Sequence, residues 1–265
     1  MRKHEEFILT PITKIMEEAS YSTSNIDSGL DSYPISDYIM QSLFLKMTGF
    51  QEQKMKCIMW ELASDDYELR YLRYKQRPLG ECSTLDEKKN IMKDLADILN
   101  KKKEGSHLLN DVEKQKILDE TKACLFDFFQ DSNMKGWSQR SYNQYEQLLD
   151  FCDKSCILPQ NDKGRYIDLL GHCENCGRKG TAPVTSLCKM GSMNAIYTAM
   201  FMHRNRCAHN TASYQQNLPS LETIANHDFI YENYYIRFFC LILIDKIFIN
   251  LFRKYLSQYP EPFEI

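Results

Sequence analysis

The chain has 265 residues, enough for one large domain or two small ones around a substantial hydrophobic core. Hydrophobic residues make up 43% and charged residues 26%, as in an ordinary globular protein, and with only 10 Gly and 8 Pro it has few of the turns that a β-rich fold needs. A formal net charge of −3 argues against a general nucleic-acid coat, so binding to a polyanion has to come from a local basic patch.

In chain order, the first stretch, "MRKHEEFILTPITKIMEE", lacks both the uninterrupted apolar segment and the small-residue cleavage site of a secretory signal. With 10 cysteines and no such signal, the expected compartment is the reducing cytoplasm, where thiols are buried or bind metal rather than forming disulfides. Residues 1–33 read as an N-terminal helix and an irregular arm, the Ser/Asp-rich part lying over 20–34. Beyond it, Ile39, Leu43, Met47, Met55, Ile58, Met59 and Leu62 recur at helical spacing, as one long helix or as two interrupted at Gly49. Residues 84–103 carry Thr84 with Glu87 three positions on, the signature of a capping box, ahead of an apolar stripe through Ile91, Leu95, Ile98 and Leu99.

Two more amphipathic helices follow, in "LNDVEKQKILDETKACLFDFFQD" and "SQRSYNQYEQLLDFCDKSC". Periodicity fades over 157–190, returns over 192–209, and ends in a strongly apolar helix over 229–257. The longest apolar run there, "FFCLILI", is bounded by Arg237 and Asp245 and falls far short of the roughly 20 residues that span a bilayer, so no membrane is expected as a partner. The expected fold is all-α, with a single helical domain over 34–265.

The chemically unusual stretch is "FMHRNRCAHNTAS", residues 201–213. On a wheel, Met193, Ile196, Tyr197 and Met200 form one stripe, and Arg204 falls in its middle, with Asn205 and His209 on the flank. An inward guanidinium needs anionic or carbonyl partners. Glu61, Asp65 and Asp66 are available carboxylates, although nothing in the sequence assigns them. The competing reading is a helix end, where cations suit the macrodipole and Asn210 terminates the helix. On the same wheel His203 lies away from His209 and reads as structural.

"RNRCAH" resembles the Arg-x4-His signature of the HEPN superfamily, in which Asn, Asp or His commonly follows the Arg. Its setting is similar too: a helix end, a loop and a final long apolar helix. That resemblance implies a HEPN-like helical bundle and a metal-independent endoribonuclease of phage defence, abortive infection or toxin–antitoxin stress response. It implies an RNA substrate, His209 as acid/base group, Arg204 as clamp on the scissile phosphate and Asn205 as orienting group, with no cofactor in catalysis. It further implies a homodimer whose two motifs share one cleft, and an antitoxin or defence-system partner. The rival classes are a non-catalytic HEPN-like module that binds RNA, nucleotide or protein, and a helical structural protein.

Two further patterns stand apart. Cys152, Cys156, Cys173 and Cys176 read as C-x3-C-x16-C-x2-C, near the spacing of paired zinc knuckles, so a structural Zn²⁺ stapling the irregular segment before the motif helix competes with buried free thiols. His172 and Cys188 are alternative ligands. "YELRYLRYKQR", residues 67–77, interleaves aromatic and basic residues, a pattern that stacks and clamps single-stranded RNA but is also that of an ordinary amphipathic surface. A Gly-rich phosphate loop, HExxH and GxSxG are all missing from the sequence, which removes P-loop, zincin and serine-hydrolase readings.

Overall fold

A computed structural model describes residues 2–23, 33–102, 108–132, 135–149, 154–159, 168–170, 193–209 and 233–258. Among these the architecture is all-α, with one isolated β-type pairing between Ile157 and Leu170. The helices are α1 (Glu5–Leu9), α2 (Thr13–Thr23), α3 (Tyr33–Asp65), α4 (Tyr67–Tyr71), α5 (Leu85–Lys102), α6 (Asp111–Asp131), α7 (Lys135–Leu149), α8 (Met193–His209) and α9 (Tyr234–Gln258). A π-helical turn, Leu72–Gln76, continues α4.

Local chemistry explains several boundaries. Thr84 and Glu87 form the expected reciprocal cap on α5, the Glu87 amide donating to Thr84 Oγ1 (3.2 Å) and the Thr84 amide to Glu87 Oε2 (2.9 Å). Asn110 and Glu113 do the same for α6. Gly49 does not divide α3: the helix runs through it for 33 residues, with open space where a Cβ would stand. The expected N-terminal helix is two, α1 and α2, and α2 runs to Thr23, into the stretch expected as an irregular arm.

The core is organised around α9. Every residue from 235 to 245 is buried, so this helix is covered all round, and it packs on α1, α3, α5, α6, α7 and α8. An aromatic cluster fills the α6–α7–α9 junction, where Phe129 and Tyr142 stack at 4.1 Å and Tyr235 donates to Ser138 Oγ at 2.7 Å. Gln51 of α3 donates to the Leu241 carbonyl of α9 at 2.9 Å. At the middle of the bundle Lys54 and Asp245, both fully buried, form an ion pair; Asp245 also accepts from the Ile12 amide at 2.9 Å. No helix among the described residues is long and apolar enough to cross a membrane.

Candidate active site at the end of the eighth helix

Helix α8 is held by the stripe that its sequence shows. Ile196, Tyr197 and Met200 are buried against α3, α5 and α9. Arg204, one turn further on, emerges where the stripe meets α3. Its Nη2 donates to Glu52 Oε2 at 3.0 Å and its Nη1 to Asn205 Oδ1 at 3.1 Å. The side chain is 25% exposed, so Arg204 is neither in the core nor loose in solvent.

Glu52 was not among the carboxylates suggested by sequence. Glu61 instead meets His4 at 2.7 Å, Asp65 meets Arg2, and Asp66 caps α4 through the Leu69 amide and pairs with Lys101 at 3.2 Å. Glu52 and Arg204 are 152 residues apart in sequence, and only the packing of α8 on α3 brings them together. A guanidinium has five N–H donors. Glu52 and Asn205 engage one on each terminal nitrogen and fix its plane, leaving further donors for an anion.

A second cation stands nearby. Lys88 of α5 is buried, donating to the carbonyls of Cys82 (2.8 Å) and Ser83 (3.2 Å), with its ammonium 5.1 Å from the centre of the Tyr197 ring. Burial lowers its pKa to about 8, a fall opposed by the field of Glu52 and reinforced by that of Arg204. Burial likewise pushes the Tyr197 hydroxyl far up, and that hydroxyl donates to the Ser83 carbonyl at 3.0 Å. Lys88 and Tyr197 thus tie α5 and α8 together behind the Glu52–Arg204 pair.

Lys88 carries a pH signature. Its pKa in the folded chain lies below its ordinary value, so between about pH 8 and 10.5 the unfolded chain holds more protons and stability rises with pH. Lys88→Met removes this dependence. From pH 7 to 9.5 the stability difference between the natural chain and the variant is expected to move about 2 kcal/mol in favour of the natural chain. Urea unfolding at the two pH values checks it; a difference constant with pH contradicts it.

His203 packs between aromatic rings of α3 and α9. Its ring lies 5.7 Å from Phe44 and 5.8 Å from Tyr234, and Nε2 is 3.2 Å from the Tyr234 hydroxyl. His209 is the last residue of α8, and its side chain lies outside the described residues, as does that of Arg206. Of the four cysteines with zinc-like spacing, Cys152, Cys173 and Cys176 lie outside the described residues, and for Cys156 only the backbone is described. Among the described residues Cys57, Cys82, Cys124 and Cys240 are free thiols, while Cys207 Sγ lies 3.3 Å from His203 Nε2. Burial raises the pKa of Cys57, Cys82, Cys124 and Cys240, which suits packing rather than nucleophilic chemistry.

No protein family, curated protein or solved structure compared with this chain matches it. The class that fold and site together define is an all-α bundle with an Arg–Asn–carboxylate cluster at a helix end.

Proposed function

We propose that the chain is a metal-independent endoribonuclease of the HEPN type, acting as a homodimer in phage defence or a toxin–antitoxin response. The observation that carries this reading is Arg204: a partly exposed guanidinium, held in plane by Glu52 and Asn205 at the end of the helix that bears His209. In the reaction the 2′-hydroxyl of the substrate loses its proton and attacks the adjacent phosphorus. The 5′-oxygen leaves with a proton, giving a 2′,3′-cyclic phosphate and a 5′-hydroxyl. His209 serves as the proton-transfer group, since imidazole titrates near neutral pH. Arg204 stabilises the charge that builds on the phosphorane oxygens. Asn205, hydrogen-bonded to Arg204, positions the guanidinium. A single chain provides one such His, and a symmetric partner facing it supplies the second proton-transfer group.

The Glu52–Arg204 pair also supports a second reading. A guanidinium already shared with a carboxylate suits a regulatory HEPN-like module that binds RNA, nucleotide or protein without cutting. Incubation of the purified chain with single-stranded RNA in excess EDTA separates the two. Cleavage supports the nuclease; retained RNA affinity with intact RNA supports the module.

A further inference from the structure

Eight residues along α3 from Glu52, roughly 12 Å at 1.5 Å per residue, the surface opens into a groove of about 320 Å³. Four aromatic rings line it: Trp60 from α3, Tyr67 and Tyr71 from α4, and Tyr74 from the π-helical turn. Among the described residues, Arg70 and Lys75 are the charged groups on its wall, and no carboxylate lines it. The rings are strongly exposed, with Tyr67 at 79% and Trp60, Tyr71 and Tyr74 near half. Such a concentration of exposed rings marks an interaction site.

The groove is built rather than incidental. Residues 67, 70, 71 and 74 share one helical face, and the π-turn is a form often found at functional sites. On the opposite side Arg73 grips Asp94 of α5 with two hydrogen bonds, 2.6 and 2.8 Å, which anchors the turn and leaves Arg70 and Lys75 exposed to solvent. Trp60 meets Tyr74 edge-on at 6.4 Å and His4 edge-on at 6.3 Å, and His4 is fixed by Glu61. Two cations in the lining speak against a cationic ligand. Flat rings interleaved with Arg and Lys suit bases joined by phosphates.

We propose that this groove binds one or two unpaired nucleotides of RNA by base stacking on Tyr71, Tyr74 and Trp60, with Arg70 and Lys75 on the phosphates. The proposal rests on the RNA reading of the Arg204 site and gives it a second anchoring point, about two turns along α3 from Glu52. The test measures fluorescence anisotropy of a labelled ten-nucleotide oligouridylate on the full chain carrying His209→Ala, so that binding is read without cleavage. Single-stranded RNA is expected to bind more tightly than a duplex of equal length. Tyr71→Ala with Tyr74→Ala weakens it roughly tenfold or more, whereas the Tyr→Phe pair at the same positions stays within about twofold, since the ring faces remain. Arg70→Gln with Lys75→Gln lowers the slope of log affinity against log salt by about 1.4. Unchanged affinity in the alanine pair, equal loss in the phenylalanine pair, no RNA binding at all, or binding of a proline-rich peptide in place of RNA overturns the proposal. A chain that binds through the groove but never cleaves defeats only the nuclease reading. A chain that cleaves but binds independently of the groove defeats only this one.

Discussion

Replacing His209 by alanine is expected to lower EDTA-resistant RNA cleavage by about 10²–10⁴-fold, the usual share of a positioned acid/base group. Single-turnover rates with excess protein give the cleanest reading, because they exclude product release. Arg204→Lys is the companion variant. It keeps the charge but loses the planar fork that Glu52 and Asn205 hold, and about 10²-fold or more should go with it. Full activity in His209→Ala removes the imidazole from the mechanism.

The largest stability effect is expected at Lys54 and Asp245. Both side chains are fully buried, and the pair is locked on each side, since Lys54 also donates to the Thr10 carbonyl (2.7 Å) and Asp245 accepts from the Ile12 amide. Burial lowers the Lys54 pKa and raises that of Asp245, while mutual attraction opposes both shifts. Lys54→Met strands the carboxylate and should cost about 3–5 kcal/mol, or about 10 °C in thermal midpoint. Adding Asp245→Leu recovers part of that loss, because two apolar side chains replace the charges while the Ile12 amide and the Thr10 carbonyl lose their partners.

The single variant also acquires a pH dependence. With its carboxyl pKa above the unfolded value, the folded chain binds the extra proton, so stability falls as pH rises from about 4 through the folded pKa and the deficit shrinks on acidification. Urea unfolding of the single and double variants at pH 5 and 7.5 checks this. A loss under about 1 kcal/mol for Lys54→Met contradicts it.

The features legible in the sequence are those encoded within one or two turns. The Thr84–Glu87 cap was visible because both partners lie three residues apart, and Asn110–Glu113 carries the same signal, having Asn where Thr or Ser is the more familiar form. The stripe of α8 was readable at period 3.6, including the Arg at its end. Gly49 left one helix or two open, and the single helix results because packing along its 33 residues outweighs the roughly 1 kcal/mol that a mid-helix glycine costs.

Partners distant in sequence left no such trace. Glu52, rather than Glu61, Asp65 or Asp66, meets Arg204 because of how α8 crosses α3, and no spacing encodes that crossing. Asp245 did leave a signal, as a lone acid inside "FFCLILIDKIFINLF" that requires a buried cation. Which lysine answers it is a tertiary fact. The π-turn that completes the aromatic groove had no sequence mark beyond the aromatic–basic alternation itself.

The most direct measurement of the central claim is mass spectrometry of the ends that the natural chain leaves on single-stranded RNA in excess EDTA. Fragments ending in 2′,3′-cyclic phosphate and beginning with 5′-hydroxyl are predicted. Intact RNA, or fragments with 3′-hydroxyl and 5′-phosphate ends, would contradict a mechanism built on Arg204 and His209.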